Sequence, residues 1–134
     1  MKKDYKFPRE LRYSKEHEWV KVLDDGTALI GISDYAQDQL HELVYVELPR
    51  VGREVKQMEA IGTVESVKAV SDVYSPISGV ILEVNNELPN SPELINQDPY
   101  GKGWIAKVRP KNLEAELRGL MDSEAYKRYI ETQR

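Results

Sequence analysis

The strongest constraint on the fold is the rhythm of residues 52–85. Ala60 to Val67, Val70 to Ser75 and Gly79 to Val84 are rich in β-branched residues and follow one another with breaks too short for a helix. Such closely spaced short strands predict an antiparallel sandwich or flattened barrel. Upstream, Glu18 to Leu23 and Thr27 to Ile32 read as a hairpin, joined by Asp24-Asp25-Gly26.

Helical periodicity enters at three places. Ser33 or Asp34 can cap a short helix in which Gln37 follows Asp34 by three positions and Ala36, Leu40 and Leu43 share one face, so this helix should lie on a sheet. Val44 to Leu48 resumes strand character until Pro49 and Gly52. Residues 88–103, with Pro89, Pro92, Pro99, Gly101 and Gly103, cannot sustain a ladder and read as an ordered loop or exposed excursion. Trp104 to Val108 returns as a strand. Beyond Pro110, Leu113, Leu117, Leu120 and Met121 mark one helix, and Asp122 caps another carrying Ala125, Tyr126, Tyr129 and Ile130. The 134 residues suit one domain over 1–134: an N-terminal arm (1–12), a β-rich body (13–109) with a hairpin at 60–75, and C-terminal helices (110–134).

Charge narrows the partners. Lys and Arg number 19 against 23 Asp and Glu, and the net charge of −4 argues against nucleic acid and anionic membranes. Residues 1–13 carry +3, 14–109 carry −7 and 110–134 are neutral. The absence of cysteine excludes disulfides, thiolate metal clusters and thiol nucleophiles, and it suits a reducing compartment. No apolar run follows the N-terminus and none is long enough to cross a bilayer, so a cytoplasmic protein is expected, and a chain this small and acidic is expected to be a monomer.

Two motifs invite chemistry. If 60–67 and 70–75 pair, Lys68 and Ala69 occupy the turn and the Lys68 amine projects from a hairpin tip. By itself a turn lysine is ordinary solvated surface. Glu16-His17-Glu18 is metal-friendly in composition, yet in an extended segment Glu16 and Glu18 share a face while His17 points away, and His41 is the one other imidazole. No metal site is expected. Trp19, Tyr45, Tyr74 and Trp104 are expected to be core or cleft aromatics.

The wider sequence resembles the glycine cleavage system H protein family. The matching pieces are Tyr13 to Trp19, Gly31 to Gln37, Val46 to Pro49, Val64-Glu65-Ser66-Val67-Lys68-Ala69, Ser75 to Gly79, Val84-Asn85, Pro92 to Asn96 and Gly103-Trp104, in order over roughly residues 11–131. The resemblance implies a mainly β, flattened barrel-sandwich hybrid of the lipoyl/biotinyl type, with one short helix on the sheet and C-terminal helices. It implies lipoate in amide linkage on Lys68, and Glu65 as a recognition residue for the lipoate-attaching enzyme. Gly52 and Gly79 hold positions used for tight turns or close backbone approach. Glu18 and Asp72 hold the positions of carboxylates near the amine of the loaded arm; Glu16, at a position that is serine or glutamate in the family, either completes that group or faces solvent.

The implied role is that of a carrier, not an enzyme. A pyridoxal-phosphate glycine decarboxylase loads an aminomethyl group, an aminomethyltransferase passes the one-carbon unit to tetrahydrofolate, and dihydrolipoamide dehydrogenase restores the disulfide with flavin and NAD. Lysine plus lipoyl reaches about 14 Å, and the cofactor supplies the sulfurs that the chain lacks. Biotin attachment is the alternative within the carrier class, although biotinyl lysines are typically bracketed by methionine where this chain has Val67 and Ala69. The same hairpin would also serve a relay of octanoyl or lipoyl groups, or a binding domain in which Lys68 stays unmodified.

Overall fold

The computed structural model describes residues 4–133. Its strands are β1 (Arg12–Tyr13), β2 (Glu18–Val22), β3 (Ala28–Ile32), β4 (Leu43–Glu47), β5 (Glu54–Val55), β6 (Ala60–Ser66), β7 (Val70–Tyr74), β8 (Gly79–Val84) and β9 (Ala106–Pro110). Six form one sheet in the order β1-β2-β3-β9-β8-β5, and three form a second in the order β4-β6-β7. All pairings are antiparallel. The two sheets agree with the expected sandwich of antiparallel strands.

Alternation explains the packing. Val46 and Val64 are cross-strand partners that turn inward from the smaller sheet, while Val20, Ile30, Val108 and Ile81 turn inward from the larger one. A second cluster, made of Leu11, Tyr13, Trp19, Tyr35, Tyr126 and Ile130, fills the space beneath the C-terminal helix α4 (Ser123–Gln133). There Tyr13 and Tyr126 stack with ring centroids 4.4 Å apart. The first hairpin forms as expected, with Glu18 opposite Ile32 and Val22 opposite Ala28. Gly52 takes φ +90°, and Gly79 lies against the carbonyl of Arg109, closer than a Cβ would permit.

Several expectations need correction. Helix α1 (Asp34–Leu40) is capped by Ser33, whose side chain accepts from the Ala36 amide, but it stops at His41 with φ +68°. Leu43 therefore leaves the expected helical face and opens β4, because Asn96 clamps this corner: its side-chain oxygen accepts from Leu43 N and its amide donates to His41 O. Residues 88–103 contain the short helix α2 (Glu93–Gln97) and bury Leu88 and Ile95 in the core. The proline-rich composition prevents a ladder there without preventing burial. Strand β9 begins at Ala106, and Trp104 precedes it. Helix α3 (Leu113–Arg118) is a single short element; beyond it Met121 bridges to Tyr13 instead of extending the helix. The three runs of residues 60–84 divide between the two sheets, in keeping with the expected sandwich. Ser75 to Ile77, all buried, carry the chain between layers, so β8 joins the other sheet.

Candidate functional site

Strands β6 and β7 form the hairpin that the sequence predicts, with Glu65 opposite Val70. The turn is centred one residue earlier than expected. Val67 and Lys68 occupy its middle, the Ser66 amide donates to Ala69 O at 2.8 Å, and the Ala69 amide donates to Ser66 Oγ at 3.2 Å. Val67 is 91% exposed, Lys68 projects into solvent beside it, and the turn is thus held by its flanks and not by the two central side chains. An apolar recess of about 180 Å³ adjoins the turn, lined by Leu40, His41, Glu42, Ser66, Val67 and Lys68.

Glu18, at the start of β2, is the largest departure from a simple surface site. It is 1% exposed, yet its carboxylate accepts from Ser14 Oγ at 2.6 Å and from the Tyr74 amide of β7 at 3.2 Å. A carboxyl of the larger sheet thereby caps a backbone N–H on the edge of the smaller one. Burial pushes its pKa up to about 8; the Ser14 and Tyr74 hydrogen bonds oppose that shift, and the nearby charge of Glu16 adds to it. Burial thus favours the neutral form of this carboxyl over its charged form.

The turn that aims Glu18 is not extended. Ser14 N donates to Glu18 O at 2.8 Å, His17 N donates to Ser14 O at 3.1 Å, and His17 sits at φ +75°. This overturns the expectation that Glu16 and Glu18 share a face: Glu16 is exposed and Glu18 buried. The Tyr126 hydroxyl holds the turn from α4, hydrogen-bonded to His17 Nδ1 at 2.9 Å and to Ser33 Oγ at 2.7 Å. Burial keeps the His17 pKa below its usual value, and burial raises that of Tyr126, so this junction is neutral.

Asp72 is exposed on β7, two residues before Tyr74 and on the same face. The Tyr74 pKa is raised by the charge of Asp72 above all, then by desolvation, Glu16 and Glu18. The charges of all three predicted carboxylates are thus felt at one phenol. Tyr74 and Ser14 were missed as members of this group. The i, i+2 spacing from Asp72 was a signal for Tyr74, whereas Ser14 gave none, since its role depends on the turn closing. Tyr45, expected in a core or cleft, instead lies 50% exposed on the outer face of β4, while Trp19 is fully buried and its indole donates to Ile32 O and Pro99 O.

Lys68 and Asp72 are four residues apart along the hairpin, about 13 Å at strand rise, within the roughly 14 Å reach of a lipoyl-lysine arm. A larger trough of about 820 Å³ lies lower on the small sheet, between the 48–53 loop and Gly62-Thr63, with Asp72 on its rim. Among the described residues no cluster of three His, Cys, Asp or Glu could hold a metal ion.

Comparison with known proteins decides the family. The model of the glycine cleavage H-protein family matches residues 11–133. This chain belongs to that family. A probable glycine cleavage system H protein of Pyrococcus horikoshii is 59% identical over 129 residues, covering 96% of each chain. The glycine cleavage system H protein of Coprothermobacter proteolyticus is 55% identical over 120 residues, covering 90% of this chain and 94% of that one. The crystal structure of an H protein from Mycobacterium marinum superposes with a TM-score of 0.83 at 36% identity, covering 95% of this chain and 98% of that one. The H-protein family is the lipoyl carrier of the glycine cleavage system and is not itself a catalyst.

Proposed function

We propose that Lys68 bears lipoate in amide linkage, and that this H protein carries the aminomethyl group from a glycine decarboxylase to an aminomethyltransferase and electrons to dihydrolipoamide dehydrogenase. The observation that carries the reading is the exposed Lys68 amine at a hairpin tip, with Asp72 within one arm's length along β7. When bound, the lipoyl group supplies a disulfide that opens by two-electron reduction as it accepts its cargo. The residues present fit such a group. The recess beside Lys68 offers an apolar surface to a dithiolane, and the acidic group further along offers opposite charge to an ammonium.

The chain's own part is to present and to protect. Ser14 and the Tyr74 amide hold both oxygens of Glu18, so an amine seated there meets a fixed acceptor. An arriving cation favours the ionised carboxylate, and Glu18 then releases its proton; burial excludes water from that contact. Asp72 supplies a second charge from the solvent side, and Glu65 marks the hairpin for the attaching enzyme. The reading extends to a cytoplasmic, monomeric protein, checked by fractionation and sedimentation.

Intact mass measured from a lipoate-competent host tests the central claim. A lipoyl-sized increase that disappears in Lys68→Arg is expected. An unmodified parent under those conditions overturns the carrier reading.

A further inference from the structure

Three contacts tie the segment before β2 to the C-terminal part of the chain. Tyr13 and Met121 exchange backbone hydrogen bonds of 2.8 Å, the Tyr129 hydroxyl donates to Lys15 O at 3.1 Å, and the Tyr126 hydroxyl meets His17 Nδ1 at 2.9 Å. Of the three, the last reaches the residue next to Glu18. The His17 ring also packs among Tyr35, Tyr126 and Tyr129, with centroids 5.0, 5.9 and 5.9 Å away. His17 O accepts from Ser33 N at 2.9 Å, and Ser33 Oγ meets the same Tyr126 hydroxyl at 2.7 Å. One phenol on α4 therefore pins His17 both directly and through Ser33.

The conformation it pins is one that an L-residue seldom adopts unaided. His17 sits at φ +75°, in the left-handed region, where surrounding contacts must offset a local cost. The reversal there brings Glu18 back over Ser14: the Glu18 amide donates to Ser14 Oγ at 3.0 Å, and that hydroxyl donates to the Glu18 carboxylate at 2.6 Å. We propose that Tyr126 is a positioning residue for the loaded arm: its hydroxyl, acting through His17, fixes the Glu18 carboxyl where the aminomethyl amine is held. The proposal rests on the reading that Lys68 carries such an arm. The reaction restrained is hydrolysis. The C–N bond of the aminomethyl group breaks and ammonia leaves with the electron pair, while water bonds to the methylene and gives a proton to solvent. The hydroxymethyl thioether so formed falls apart to formaldehyde and the free thiol, with no change in oxidation state.

The experiment measures ammonia release from the lipoylated, aminomethyl-loaded protein. Tyr126→Phe keeps the ring stacked on Tyr13 and loses both hydroxyl contacts; His17→Leu removes the same contact from the other side. Each is expected to release ammonia about three to ten times faster than the parent, as a displaced acceptor implies. Combining Tyr126→Phe with Glu18→Ala should add nothing to Glu18→Ala alone, because both act on one carboxyl. A second readout needs no arm and would not move if Tyr126 served stability alone. Followed by NMR in the unlipoylated protein, the Glu18 carboxyl carbon should titrate about one pH unit lower in Tyr126→Phe, since water then reaches it. Release at the parental rate, an additive double variant or an unmoved carboxyl titration overturns the proposal. A parent that never takes up lipoate, or parental release from Glu18→Ala, overturns the arm reading and the proposal with it; that failure is told apart by the carboxyl titration, which Tyr126→Phe would still shift.

Discussion

The outer face around the β6–β7 turn and the cluster beneath α4 are built from similar residues and treat them in opposite ways. Under α4, Tyr13, Trp19 and Tyr126 are completely buried, stacked or hydrogen-bonded to their own chain. At the turn, Val67, Val70, Val44 and Tyr45 remain in water. The first group holds the Ser14–Glu18 turn in place; the second gives up burial within the chain and leaves apolar surface for other molecules. The difference shows that apolarity in this chain does not mean core, and that stability and presentation are assigned to different sets of residues.

The two regions can be set against each other by mutation. The largest effect is expected from Tyr126→Ala, which removes a stacked ring and both hydrogen bonds of the α4 junction. It should cost about 3–5 kcal/mol of unfolding free energy, measured by urea denaturation. A loss below about 1 kcal/mol would mean that α4 is not what secures the turn.

Glu18→Ala should leave lipoylation by mass unchanged but speed the loss of ammonia from the aminomethyl-loaded protein on the order of tenfold, as expected when a charge-assisted contact is removed. Equal decay rates would separate Glu18 from the arm and leave it a purely structural joint between the sheets.

Glu18 also predicts an unusual pH dependence. A folded-state pKa of about 8 lies above the ordinary carboxyl value, so the native state binds the extra proton between the two. The contribution of Glu18 is therefore fully present below the unfolded pKa and is lost as pH rises toward 8, the reverse of a salt-bridged carboxylate. Denaturation of the parent between pH 5 and pH 8.5 should show this decline, and Glu18→Gln should flatten it. A Glu18→Gln profile parallel to that of the parent would assign the proton elsewhere.

The smallest effect belongs to the turn. Val67→Ser exchanges a side chain that touches little, and should change stability by no more than about 0.5 kcal/mol. A larger destabilisation would mean that the exposed tip contributes to the fold after all.

Much of this was legible without coordinates, because it is local. Runs rich in β-branched residues and a short break specify the β6–β7 hairpin, and Asp24-Asp25-Gly26 specifies the first one. Ser33, one of the two expected caps, closes the start of α1, since a capping hydroxyl needs no partner beyond the next turn of chain. The end of α1 was not legible, because Asn96 stops it from 55 residues away. Nor was the burial of Leu88 and Ile95, for which a proline-rich composition gives the wrong impression.

For the site, the residue types were readable and their states were not. Lys68 could be assigned to a turn from the strands beside it. The exposure of Tyr45 depended on which strands became neighbours. Whether the Glu18 carboxyl would be charged depended on desolvation, on Ser14 and on the Tyr74 amide of the opposite sheet. Periodicity and turn chemistry act over a few residues and are written in order along the chain. Burial and charge state are sums over everything nearby in space, and only the closing of the two sheets brings those neighbours together.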